Sequence, residues 1–256
     1  MNNLNVKGLL IDLDGVIYND TQLISGAAET IEYLQQKEIA FRFITNTTMK
    51  SRKTLQKKLS GFGIKIPENN IFSAAYAAAQ FIRNQGKTKC HLLINEDAQQ
   101  EYFDLELNSK NPDFVVVGDL GEHITFDKLN RAFQKLFEGA ELIALQKNRY
   151  WLSDKGYTLD AGAFVALLEY ATNKEGILIG KPSKTFYDTV LKDLDCNTDE
   201  VLMIGDDIES DIKGAQAIGI KGVLVQTGKF MPRDLERDDV IPWKTIGNIE
   251  DLKEIV

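Results

Sequence analysis

Asp12 and Asp14 flank a single leucine at the end of the apolar run Leu9 to Ile11, and Gly15 follows them. If that run is a strand, its period of two puts both carboxylates on one side and Leu13 on the other. Two carboxylates about 4 Å apart repel by about 4 kcal/mol at an effective dielectric of roughly 20, so holding them together needs a cation or a proton. Strand-end solvation followed by a turn explains the same residues without any chemistry.

Three further polar clusters each follow an apolar run. Thr45-Asn46-Thr47-Thr48 ends the run Phe41 to Ile44, where a hydroxyl and backbone N–H groups suit a phosphate. Turn or capping chemistry accounts for Thr47 and Thr48 equally well. Gly180-Lys181-Pro182 follows Ile177 to Ile179 and places a lysine where it can neutralise phosphate and carboxylate charge, although a lone surface lysine is the plainer reading. It is not a Walker A loop, because Gly176 stands one residue too close to Gly180 and Pro182 replaces the metal-binding Ser or Thr. Gly205-Asp206-Asp207-Ile208-Glu209-Ser210-Asp211 follows Val201 to Ile204 and offers the hard oxygen donors that suit magnesium. Within it, Asp207 and Glu209 read as turn residues, and Asp211 is open to a helix-capping role. Gly118-Asp119 imitates this cluster, but no acid follows at the matching distance, so it reads as structural.

These clusters need strands that end in one place. Apolar runs alternate with amphipathic segments along the whole chain, the pattern of an α/β protein with a mostly parallel sheet. Strands are expected at Val6 to Leu13, Phe41 to Thr45, Ile71 to Ser73, His91 to Ile94, Phe114 to Val117, Leu142 to Leu145, Ile177 to Ile179, Val201 to Ile204 and Gly222 to Val225. Helices are expected on the Ala27, Ile31, Leu34 face, after the N-cap Ser51, over Ala74 to Phe81, near Asp97 to Tyr102, and over Thr125 to Phe137, Ala163 to Ala171, Ser183 to Leu194 and Asp211 to Ile218. A short further unit is expected from Ile246. The reading is a Rossmann-like, doubly wound parallel sheet formed by residues 1–80 and 178–256, with an α/β cap domain inserted over 81–177. In open sheets of this kind ligands bind beyond the carboxyl ends of the strands, where all four clusters fall.

Composition narrows the partners. The formal charge of −8 supplies no basic face for nucleic acid, and the lysines between Lys50 and Lys58 alternate with Leu55 and Leu59 as a solvated helix face. Nothing approaches the roughly 20 apolar residues of a membrane span, and no signal peptide is evident. Cys90 and Cys196 stand far apart, which leaves no disulfide framework, redox pair or thiolate zinc site and fits a cytoplasmic protein. His91 and His123 lie in no recognisable catalytic pattern, so a Ser-His-Asp hydrolase has little support. Oligomeric state is open, a homo-oligomer included.

Together and in this order, DLDGV, TNTT, GKP and GDDIESD resemble the four motifs of the haloacid dehalogenase superfamily of phosphohydrolases. The insert, with VVVGD and FVALLEYAT, resembles the type-two cap of the NagD-like branch, and TGK at Thr227 to Lys229 extends the likeness toward the end of the chain. The resemblance implies a Mg2+-dependent phosphatase of small phosphorylated metabolites, with Asp12 as nucleophile forming an aspartyl-phosphate and Asp14 as general acid and base. It gives Thr45 and Asn46 to phosphate binding and Lys181 to the phosphoryl group and nucleophile. It gives the metal to Asp12, the backbone carbonyl of Asp14, and Asp206, with Asp211 as a trailing acid that ligates through water or orients Lys181. Asn148, Arg149 and Tyr150 occupy the place of the cap's substrate-reading loop, where many members carry TN-x-D and this chain has Gln146-Lys147-Asn148-Arg149-Tyr150. Packing of Tyr150 and Trp151 within the insert explains that stretch equally well. Receiver domains share aspartates, Thr and Lys on a similar sheet, but their acidic pair precedes the phosphorylated aspartate. A catalytically idle binding protein of the same fold is the other alternative.

Overall fold

The computed structural model describes residues 6–107, 109–153 and 156–256. The chain forms two compact units: one holds the chain up to Thr45 with Leu55–Phe72 and Lys181–Val256, the other Asn46–Thr54 and Ser73–Gly180. Residues 81–177 fall inside the second unit.

The apolar runs of the first unit become a six-stranded sheet in the order Lys244–Ile246, Lys221–Val225, Val201–Gly205, Gly8–Asp12, Ala40–Thr45 and Ile71–Ser73. Gly8–Asp12 is central, with Gly8 opposite Val201 on one side and Ala40 on the other, both in parallel register. Leu9, Leu10 and Ile11 are fully buried, because a central parallel strand has both faces covered. Each such side chain contributes about 1.5–3 kcal/mol over its exposed state. The Ala27–Gln36 helix buries Ala27, Ile31 and Leu34 and packs on the Ile249–Glu254 turn, whose Ile249 and Leu252 join the same core. Strand order reverses between Gly8–Asp12 and Val201–Gly205, so the switch point of this sheet lies beyond Asp12 and Gly205.

The second unit carries a five-stranded parallel sheet in the order Ile177–Leu178, Glu141–Ala144, Phe114–Val117, Lys89–Leu93 and Glu106–Leu107. The Phe126–Phe137 and Ala161–Thr172 helices pack on each other over a core that includes Val117, Leu136, Val165 and Leu168. Tyr150–Ser153 and Gly156–Leu159 form an antiparallel hairpin.

Helix starts follow the capping residues. Ser73, Thr125 and Ser183 accept hydrogen bonds from the backbone N–H groups of Tyr76, Lys128 and Phe186, and Ser51 Oγ accepts from Thr54 N. The helix expected over Asp211 to Ile218 is different: a π-helical turn runs over Ile208–Lys213 and a short α-helix over Gly214–Gln216. Tyr187 sets this wider turn, its hydroxyl donating to the carbonyls of both Ser210, at 3.0 Å, and Asp211, at 3.2 Å. Among the described residues no helix is long and apolar enough to cross a membrane.

Candidate active site

Asp12 closes the central strand and is almost buried, with Leu13 N–H donating to its Oδ1 at 2.8 Å. Lys181, 3% exposed, reaches the same Oδ1 at 2.9 Å and Asp211 Oδ1 at 2.7 Å. Asp206 follows Val201–Gly205 and is also buried. Carboxylate oxygens of Asp12, Asp206 and Asp211 all lie within 4.8 Å of one another. One buried ammonium therefore pairs with two of three clustered, buried carboxylates.

The electrostatics follow from that imbalance. Burial, with Asp211 for Asp206 and Asp12 for Asp211, pushes both carboxyls well above the usual carboxylate range. For Asp12 burial outweighs the pull of Lys181 and the direction is again upward. Burial opposes the charge on Lys181, but Asp12 and Asp211 outweigh it and hold the ammonium charged. Asp206 Oδ2 accepts from Lys229 N at 2.7 Å, while its Oδ1 is buried with no hydrogen-bond partner among the described residues. A buried carboxylate oxygen without a partner, beside two further acids, fits a hard divalent cation. Among the described residues, Asp12, Asp206 and Asp211 are the side chains that could hold one.

Two glycines make room for Asp206. Gly15, at φ +85°, and Gly228, at φ +62°, would each put a Cβ within 1.9 and 2.1 Å of Asp206 Oδ2, so no side chain fits at either position. Thr227 Oγ1 donates to Gly15 O at 2.5 Å and ties the two turns together. Asp211 is seated the same way, since a Cβ on Gly205 would lie 2.3 Å from its Oδ2.

Asp14 is exposed and adds no carboxylate to the cluster, so of the expected ligands it alone is left with only its backbone carbonyl to offer. Burial around it pushes its pKa up, against the pull of Lys58, Lys229 and Lys181. Asp207 caps the π-helical turn, accepting from Glu209 N and Ser210 N, each at 3.0 Å, and pairs with Lys229 Nζ at 3.0 Å. Thr45 is buried at the end of its strand, whereas Asn46 counts with the second unit.

Asn148, Arg149 and Tyr150 are exposed in the second unit, and Tyr150 begins the hairpin. The side chain of Trp151 lies outside the described residues. Buried Gln146 shapes this loop: its Nε2 donates to Asp160 Oδ1, and its Oε1 accepts from Asn148 N at 2.5 Å. Gly162 N donates to Asn148 O at 3.0 Å, and a Cβ on Gly162 would stand 2.3 Å from that oxygen.

Lys229, Tyr187 and Gly228 received no role from the sequence, although they build the site. The signal for Lys229 was present, because TGK follows the Lys221–Val225 strand as the other clusters follow theirs. Nothing local marks Tyr187, which acts from inside a helix.

A family model for haloacid dehalogenase-like hydrolases matches residues 9–108, and a second, HAD-hydrolase-like model matches 178–254. The chain is 38% identical to mouse (Mus musculus) haloacid dehalogenase-like hydrolase domain-containing protein 2, over 94% of this chain and 92% of that one. It is 36% identical to the phospholysine phosphohistidine inorganic pyrophosphate phosphatase of Rattus norvegicus, over 98% and 93%. The solved p-nitrophenyl phosphatase from Archaeoglobus fulgidus superposes with a TM-score of 0.92 at 27% identity, covering 98% of this chain and all of that one. This chain belongs to the haloacid dehalogenase-like hydrolases and is a phosphohydrolase of that superfamily.

Proposed function

We propose that the chain is a magnesium-dependent phosphatase of small phosphorylated metabolites, working through an aspartyl-phosphate on Asp12. The observation that carries this reading is the buried Lys181 ammonium held between Asp12 and Asp211. Asp12 attacks phosphorus as the bond to the leaving oxygen breaks, and protonated Asp14 gives that oxygen its proton. Asp14 then takes a proton from the water that hydrolyses the aspartyl-phosphate. Its exposure lets it meet leaving group and water. Lys181 offsets charge that would keep a carboxylate from a phosphate dianion, and Thr45 offers a phosphate-binding hydroxyl. Magnesium, held by Asp12 and Asp206, supplies further charge neutralisation when bound. Phosphate esters, pyrophosphate and phosphoamides are the substrate classes to screen. Both thiols, Cys90 and Cys196, are free, in keeping with work in the cytoplasm.

Magnesium titration of phosphate release tests the metal assignment. Asp206→Ala should raise the half-activating magnesium concentration by about tenfold or more, since it removes a ligand, whereas Asp207→Ala removes a turn cap and should shift it far less. Equal shifts would end the assignment, and a single stoichiometric burst without turnover would make the chain a phosphoaccepting module instead.

We assign leaving-group choice to Asn148, Arg149 and Tyr150, because the cluster around Asp12 contains only groups for the transferring phosphoryl. Asn148→Ala and Arg149→Ala should change the ratio of kcat/KM between two substrates by about tenfold with little change in Tm. Uniform scaling of every substrate would remove the loop from specificity.

A further inference from the structure

The topology that locates the acidic cluster of the first unit marks a second place, within the second unit alone. There Lys89–Leu93 pairs with Glu106–Leu107 on one side and with Phe114–Val117 on the other, so the winding reverses between Lys89–Leu93 and Phe114–Val117. Ligands of open parallel sheets bind at such reversals, beyond the carboxyl ends of the strands. A cavity of about 550 Å3 lies there, lined by the end of Lys89–Leu93, by the segment after Phe114–Val117 and by the start of the Phe126–Phe137 helix. Small-molecule sites span roughly 300–1,000 Å3.

The lining has two chemical characters. Its apolar part is Leu92, Leu93, Ile94 and Leu120, all buried. Its polar part holds Lys128 and Arg131 together with His91 and His123, which are both of the chain's histidines. Lys128 and Arg131 stand in the first two turns of a twelve-residue helix, whose dipole adds positive potential at that end. Glu96 is the one acid in the lining. The existing partners of the two cations are weak: Lys128 Nζ donates to His123 O at 2.8 Å in an exposed bond, and Arg131 pairs with Asp127 at 2.7 Å with both side chains about two-thirds exposed. Such exposed pairs are weak and yield readily to a dianion. Burial, with Lys135 and Arg131, pushes His91 below its ordinary pKa.

We propose that this cavity is a second ligand site, built from residues other than those of the phosphoryl-transfer cluster, for a small anionic metabolite carrying a phosphate or carboxylate on an apolar body. The anion meets Lys128, Arg131 and the imidazoles, and the body covers Leu93, Ile94 and Leu120. The site does not depend on the phosphatase reading.

Phenylphosphonate is a suitable probe, because its C–P bond is not a phosphate ester. The two imidazoles are the chain's only ones, so their NMR resonances report on the cavity without interference. Both sets should shift saturably as phenylphosphonate is added, and the His91 titration should move upward, since a neighbouring anion favours the charged form. Lys128→Ala/Arg131→Ala should weaken this binding by about tenfold or more, and its unliganded imidazole spectrum checks that the fold is intact. Absence of a saturable shift up to about 10 mM, or the same midpoint in the double variant, overturns the proposal. Equal affinity for benzyl alcohol overturns its anionic half.

Discussion

Asp12→Asn should reduce phosphate release to background, a loss on the order of 10⁴-fold or more, while leaving the protein as stable as before or more so. Activity falls because an amide is no nucleophile. Stability holds because Asn preserves the shape and can still accept the Leu13 N–H through its side-chain oxygen, and Lys181 keeps Asp211 as its partner. Removing one of three buried carboxylates also relieves like-charge repulsion. Steady-state phosphate release and thermal unfolding of the same preparation decide it. Turnover near that of the parent sinks the covalent mechanism, and a collapse of Tm would mean that Asp12 is held mainly as a structural counter-ion.

Lys181→Met should damage both quantities. The stem is roughly kept, but Asp12 and Asp211 are left without their buried cation. Breaking a buried ion pair by removing one partner costs about 3–5 kcal/mol, because the remaining charge is stranded. Turnover and vanadate inhibition should be lost along with that stability. The double variant Lys181→Met/Asp211→Asn removes one stranded carboxylate and should recover part of the stability but none of the turnover. Urea unfolding of the parent, single and double variants gives the stability arm. Unchanged vanadate inhibition in Lys181→Met contradicts the proposed contact with phosphate.

What was legible in the sequence divides along physical lines. Parallel strands covered on both faces appear as continuous apolar runs, so Gly8–Asp12 and Phe114–Val117 were readable to within two residues or better. The cap at Ser51 was readable because its hydroxyl acts on an N–H group three residues away, as those of Ser73, Thr125 and Ser183 also do in the structure. The Tyr150–Ser153 and Gly156–Leu159 hairpin was not, since its apolar residues Tyr150, Tyr157 and Leu159 are exposed. The π-helical turn at Ile208–Lys213 depends on a hydroxyl from Tyr187 and on the close approach of Gly205 to Asp211. Motif order suggested that Asp12, Lys181 and Asp206 work together. That Lys181 spans Asp12 and Asp211, and that Lys229 N holds Asp206, depends on folding and has no local signature.

The central position of Gly8–Asp12 also has a consequence for how the chain is made. Its neighbour Val201–Gly205 pairs Val201 with Gly8 across 193 residues (201 − 8). At about 5–20 residues per second of synthesis, that strand leaves the ribosome about 10–40 s after the first. Meanwhile Leu9, Leu10 and Ile11 have a sheet neighbour on only one side, through Ala40–Thr45. The strands of the second unit's sheet, from Lys89–Leu93 to Ile177–Leu178, all emerge within that interval. Every strand of the second unit's sheet is therefore available before the strand that ends in Asp12 gains its second sheet neighbour, and until then that strand keeps one unpaired edge of the kind that templates pairing with other chains.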